Sequence, residues 1–160
     1  MRLFDGDKSS RYHFYKDYKH SRAPMPQILK DALVQFKAAI EETGIVVFEP
    51  INDEADDIIA TLANKASHNN ISSVIVSTDK GFLPFLNEHI AVYDYFKKHY
   101  LDQDSIKQRF GEDALNDDAL NASLRKKLTE NMDMYVISKQ LVSLRTDINL
   151  GFSLKQLRLN

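Results

Sequence analysis

Cysteine is absent from the 160 residues, which excludes disulfides, zinc–thiolate centres and thiol catalysis. No apolar run approaches the roughly 20 residues that cross a bilayer, so no membrane partner is expected. The opening Met1-Arg2-Leu3-Phe4-Asp5 has neither the apolar centre nor the small-residue cleavage site of a signal peptide. A cytoplasmic monomer is the expected state. Positive charge is not in excess either. The formal net charge is −2, which argues against a uniformly basic coat for nucleic acid.

What is present fits one folded chain with a real core. Hydrophobic residues make up 43% and charged residues 28%, ordinary values for a globular protein. The distribution of charge says more than its sum. From Lys8 to Arg22 the chain carries Lys8, Arg11, Lys16, Lys19 and Arg22 against one acid, Asp17. Acids gather instead at Asp53 to Asp57 and at Asp113 to Asp118. A polyanion can approach one region while a cation occupies the other.

Short apolar runs alternate with helical spacing, the pattern of an α/β domain with a mostly parallel central sheet. Leu3-Phe4 reads as the end of a strand that stops at Asp5-Gly6. Pro24-Met25-Pro26 introduces a helix from about Gln27 to Thr43, with Ile28, Leu33, Phe36 and Ile40 on its buried face and Gly44 closing it. Ile45-Val46-Val47-Phe48 reads as a buried strand, followed by a helix from about Asp53 to Ser67. Val74 to Ser77 is the next strand, ending at Thr78-Asp79. A short helix around Phe82 to Leu86, a strand from Ile90 to Tyr95, and helices from Asp104 to Phe110 and Ala122 to Leu144 complete the reading.

In open parallel sheets the loops beyond the carboxyl ends of the strands converge on the site. Acids fall there three times: Asp5 after the first strand, Glu54, Asp56 and Asp57 after the second, Asp79 after the third. Each has a plain explanation, because carboxylates are favoured in the first turn of a helix. Together they point to chemistry, since crowded carboxylates repel and a divalent cation relieves them. Oxygen donors alone suit Mg²⁺ or Mn²⁺ and argue against zinc. On a helix Asp56 and Asp57 point about 100° apart, compatible with two neighbouring metal positions.

The second feature is Arg11-Tyr12-His13-Phe14-Tyr15-Lys16-Asp17-Tyr18-Lys19-His20-Ser21-Arg22. Cations interleaved with rings suit nucleic acid, where charge meets phosphate and rings stack on unpaired bases. The plain alternative is a solvated loop with some rings in the core.

These segments carry a resemblance. Asp17 to Pro26 resembles the "YKxxRxPMP" stretch of bacterial 5′ nucleases, including the 5′-exonuclease domain of DNA polymerase I. Glu54-Ala55-Asp56-Asp57 through Ala63 resembles the family's "EADDxxxTLA" motif, and Ser77-Thr78-Asp79-Lys80-Gly81 its "STDKD" motif. Arg145-Thr146-Asp147 is similar to its "KTD" ending. Gly81 stands where most members carry a second Asp, a feature shared with the small stand-alone flap endonucleases. The resemblance implies a PIN-like α/β fold, with a catalytic portion over residues 1–110 and a helical portion over 111–160. It implies Mg²⁺-dependent hydrolysis, with Mn²⁺ able to substitute, of DNA carrying 5′ flaps or branched ends, in replication or repair. By motif position Glu54, Asp56 and Asp57 are metal ligands, with Asp5 and Asp79 beside them. Lys19 and Arg22 contact the scissile phosphate, and Arg11, Lys16, Tyr18, Lys19, Arg22 and Lys80 meet DNA.

Two departures stand out. Family members open with a strand and helix ahead of the region that begins here at Met1. They also carry a Gly-rich helix–three-turn–helix segment that grips duplex DNA and often binds K⁺. Here Phe110-Gly111 runs directly into Glu112-Asp113-Ala114, and with 5 glycines in all the segment is not elsewhere. A break between Gly111 and Glu112 is therefore expected. The rival reading is a non-catalytic relative that binds branched DNA with an incomplete metal site. An RNA-cleaving PIN-type toxin, which shares the acidic cleft but not the Tyr18–Pro26 stretch, stands further behind.

Overall fold

The computed structural model describes residues 9–21, 23–48, 53–110, 126 and 129–157. Asp5 with its strand, Arg22, the join at Gly111–Glu112 and the start of the last expected helix lie outside the described residues. Two compact units are present. One holds residues up to Ile58 together with Ile148 onward, the other Ile59–Asp147.

In the first unit, Ser10–His13 forms a single 3₁₀ turn whose preceding residue, Ser9, accepts a hydrogen bond at its side chain from Arg11 N. Helix α1 spans Gln27–Glu42 and starts where Pro26 sets the backbone at φ −55°. Gly44 closes it in the left-handed region, φ +82°, with its N–H on Glu41 O at 3.0 Å. The expected buried face of α1 is not buried. Ile28 is 80% exposed and Phe36 60%, and Leu33 and Ile40 are only partly covered. The spacing made the helix, but the described residues of this unit supply no surface to cover that face. Ile45–Phe48, expected as a buried strand, is likewise neither buried nor in a strand. A strand needs a neighbour for its backbone groups, and none among the described residues pairs with it. Phe48 instead stacks on Phe152, ring centroids 4.3 Å apart.

Helix α2, Ala55–His68, carries the boundary between the units within it. Its later part presents Ala60 and Ala63, one turn apart, to the core of the second unit, where small side chains allow close approach. Strands β1 (Ser73–Val76) and β2 (Ile90–Asp94) pair in parallel, from Ser73 with Ile90 to Val76 with Tyr93. A third strand, β3 (His99–Leu101), which the sequence reading missed, pairs antiparallel to β2 through a tight turn. The described sheet is therefore mixed, with one parallel and one antiparallel ladder, in the order β1-β2-β3. β2 alternates fully, burying Ile90, Val92 and Asp94. Phe82, on the 3₁₀ helix Lys80–Phe85, is wholly buried among Ile75, Leu86, Ile90 and Val92, and Ile106 of helix α3 (Gln103–Phe110) joins them. Helix α4, Met132–Val142, buries none of its residues. No helix among the described residues is long and apolar enough to cross a membrane.

Candidate functional site

The first unit gathers the start of α2 and the basic arm into one network. Glu54 immediately precedes α2, and its carbonyl accepts from Ile58 N at 3.1 Å, the first bond of the helix. Asp57 lies three positions on, so the two side chains share one side of the helix start. Both are buried, Asp57 with 1% of its surface exposed. Their partners come from a segment 45 and 46 positions earlier.

Arg11 meets Asp57 with both prongs of its guanidinium, Nη1 to Oδ2 at 2.6 Å and Nη2 to Oδ1 at 2.8 Å. The same Nη1 lies 3.4 Å from Glu54 Oε2. Ser9 Oγ donates to Glu54 Oε1 at 2.8 Å, and Lys19 Nζ reaches that oxygen at 2.9 Å. Tyr18 O–H donates to Glu54 Oε2 at 3.3 Å. Lys19 Nζ also sits 4.9 Å from the centre of the Tyr18 ring, a cation over a π face. Tyr12 meets Tyr18 edge-on at 5.7 Å. Two carboxylates thus face two cations, and every carboxylate oxygen of the pair has a donor.

The fork between Arg11 and Asp57 holds the guanidinium proton more tightly than usual. Its hydrogen bond to Asp57 raises the Arg11 pKa, desolvation opposes this, and the charges of Asp57 and Glu54 add to the rise. Lys19 is notable for its backbone, held at φ +59°. A lysine in the left-handed region is uncommon and is kept there only by its surroundings.

The expected site residues fall unevenly. Glu54, Asp57, Arg11, Tyr18 and Lys19 come together. Asp56, about 100° around the helix from Asp57, is half-buried. Lys16 is exposed on the arm. Arg11, expected on a DNA-facing surface, is 3% exposed, turned inward by its carboxylate partner. Ser9 was not anticipated, because a lone serine ahead of a basic stretch carries no signal of its own.

In the second unit Asp79 is exposed and precedes the 3₁₀ helix, where its Oδ1 accepts from Gly81 N at 2.7 Å. Lys80 beside it is exposed as well. A side chain added at Gly81 would meet Asp79 Oδ1 at 3.2 Å, so the glycine leaves room for that cap.

The carboxylates are of the right kind for a hard divalent cation. Among the described residues, however, no three of His, Cys, Asp or Glu stand close enough together to hold one. Asp56 is compatible in donor type and in its partial exposure. Both oxygens of Asp57 are taken by Arg11, and those of Glu54 already meet Ser9, Lys19, Tyr18 and Arg11, so Asp57 fits poorly and Glu54 fits only where Lys19 turns away from it.

Residues 1–111 match the family model described as the 5′-3′ exonuclease N-terminal resolvase-like domain. A flap endonuclease Xni of Pseudoalteromonas translucida is 78% identical, over 99% of this chain and 77% of its own length. The same-named protein of Pectobacterium carotovorum is 35% identical, over 97% and 76%, and that of Vibrio cholerae 31%, over 96% and 75%. The first of these alignments runs over 199 positions for a chain of 160 residues, so that relative carries residues with no counterpart here. Among solved structures, the T5 D15 protein co-crystallised with metal ions superposes with a TM-score of 0.50 at 14% identity, over 82% of this chain and 66% of that one. That likeness supports the PIN-like α/β fold. Family match and relatives agree, and the chain belongs to the 5′-3′ exonuclease family of nucleases.

Proposed function

We propose that this protein is a structure-specific 5′ nuclease that hydrolyses phosphodiester bonds in DNA bearing 5′ flaps or branched ends, using Mg²⁺, with Mn²⁺ as a substitute. One observation carries the reading. The acidic start of α2 and the basic, aromatic arm meet in a single network, through Lys19–Glu54 at 2.9 Å and Arg11–Asp57 at 2.6 Å. A nuclease needs both halves, carboxylates for a cation and cations for the phosphate.

Asp56 is the ligand proposed from the described residues, joined by Glu54 once Lys19 leaves its Oε1 for a phosphate, and the family motifs add Asp5, Asp57 and Asp79 as candidates. A bound divalent cation supplies charge neutralisation at the phosphate and an acidified water. The chain's own residues do the rest. Lys19, held beside Glu54 in its left-handed conformation, is placed to exchange one oxyanion for another when a phosphate arrives. Arg22 belongs to the same proposed phosphate clamp. Tyr18 offers a ring for stacking, and Lys16 and Lys80 offer exposed positive charge for the backbone.

The rival reading, binding of branched DNA without cleavage, draws on the saturation of Glu54 and Asp57 by protein donors. A 5′-labelled flap substrate separates the two. The nuclease reading expects cleavage that EDTA abolishes and Mg²⁺ restores. Tight flap binding with no product at any divalent-ion concentration would establish the rival.

A further inference from the structure

Within the motif Glu54-Ala55-Asp56-Asp57 the structure divides the three carboxylates between two tasks. Glu54 and Asp57 lie three positions apart on one side of the helix start and turn toward Arg11. Asp56 projects from a different side of α2. Asp57 is 1% exposed, and both its oxygens meet one guanidinium. A fork of this kind takes up the carboxylate edge through which an ion would be chelated. Arg11 in turn is 3% exposed, and its Nη1 stands between Asp57 Oδ2 and Glu54 Oε2, at 2.6 and 3.4 Å.

We infer that Asp57 is the anchor of Arg11 and not a metal ligand, and that Arg11 is a positioning residue acting through Glu54. The chain of cause runs inward to outward. Asp57 fixes the guanidinium in two directions, which a lysine ammonium cannot match. The fixed guanidinium then limits where the Glu54 carboxylate can lie, while Ser9 and Lys19 hold its other oxygen. Asp56 is then the carboxylate of the motif that meets the ion, and Glu54 would join it where Lys19 leaves its Oε1 for an arriving phosphate. The assignment of roles toward the ion rests on the metal-dependent reading above; the Arg11–Asp57 coupling does not.

Two measurements on the full chain test it. The first is Mn²⁺ binding followed by electron paramagnetic resonance, on the parent and on Asp56→Asn, Asp57→Asn, Arg11→Lys and Arg11→Gln. Asp56→Asn should weaken Mn²⁺ by at least ~10-fold, as loss of a ligand or its support does, whereas Asp57→Asn should weaken it only as far as Arg11→Gln does, and adding Asp57→Asn to Arg11→Gln should weaken it no further. Arg11→Lys, which keeps the charge and loses the fork, should broaden the Mn²⁺ signal as Arg11→Gln does; a role in charge alone would restore the parent signal. The second is a thermal double-mutant cycle without metal on Arg11→Gln and Asp57→Asn. The two losses of Tm should be strongly non-additive, the double variant falling about as far as either single one. A further loss of Mn²⁺ when Asp57→Asn is added to Arg11→Gln would overturn the assignment, and additive losses of Tm would overturn the anchor. A parent that binds no Mn²⁺ would refute the metal-dependent reading, with the anchor still decided by the cycle.

Discussion

Lys19 reaches Glu54 Oε1 at 2.9 Å from a backbone held at φ +59°. The lysine is therefore aimed by local conformation as well as by charge. Lys19→Ala should lower kcat/KM on a flap substrate by about 100-fold, the order of loss when one preorganised charge donor is removed from a phosphoryl site. Lys37→Ala is the control, since Lys37 pairs with Glu41 on α1 outside this network. Equal effects at the two positions would count against the proposed phosphate contact.

The arm should also set the salt dependence of binding. Each lysine that neutralises a phosphate contributes a slope of roughly −0.9 in log affinity against log salt for duplex DNA. Lys16→Ala should make the slope shallower by about that amount, measured by fluorescence anisotropy on a catalytically silent background such as Asp56→Asn. An unchanged slope would remove Lys16 from the DNA interface.

Asp102 ends the sheet and begins α3. Its Oδ1 accepts from Ser105 N at 2.8 Å, and Asp102 N donates back to Ser105 Oγ at 2.9 Å. This reciprocal cap should make Asp102→Ala cost about 1 kcal/mol in urea unfolding. Near-neutral behaviour would mean that the turn supports itself.

The turn between β2 and β3 is held by Asp94, whose Oδ1 accepts from Phe96 N at 3.1 Å and Lys97 N at 3.0 Å. The backbone hydrogen bond from Lys97 is the main cause that lowers its pKa below 3.8, with Lys97's charge and Phe96 N adding to it. Asp102 is lowered in the same way, first by the bond from Ser105 N. A carboxyl whose folded pKa is depressed contributes stability above its unfolded pKa and loses it as pH falls through the folded one. Acid titration by circular dichroism should therefore show stability falling below pH of about 3.8, with a gentler fall in Asp94→Asn. A steeper fall in that variant would contradict the assignment.

Phe82 is wholly buried at the centre of the second unit. Phe82→Ala should cost about 3–5 kcal/mol, read as a lower denaturation midpoint with little change in slope.

Much of this was legible in the chain. The start of α2 follows from acids clustered ahead of an apolar helical spacing. β1 and β2 follow from short β-branched runs, and the 3₁₀ helix from Asp79 capping ahead of Pro84. The family was legible too, because its motifs are local strings. β3 was not, since His99-Tyr100-Leu101 is too short to show alternation and exists by pairing with β2. Ile45–Phe48 has the composition of a strand, yet a strand is a property of two segments. The burial of Arg11 was not legible for a related reason. A cation among rings reads as a DNA arm, and nothing nearby in sequence reveals that Asp57 will receive it.

That last separation has a kinetic consequence. Ser9 meets Glu54 across 45 positions, and Arg11 meets Asp57 across 46. Closing a loop of that length costs on the order of 3 kcal/mol of chain entropy, with a constant added, before any of its contacts form. The β2–β3 hairpin needs no such search, because its strands are a few residues apart. During refolding the hairpin should therefore appear first and the carboxylate–guanidinium pair late. The nuclease becomes competent at the end of folding, and Arg11→Gln should speed unfolding far more than it slows refolding.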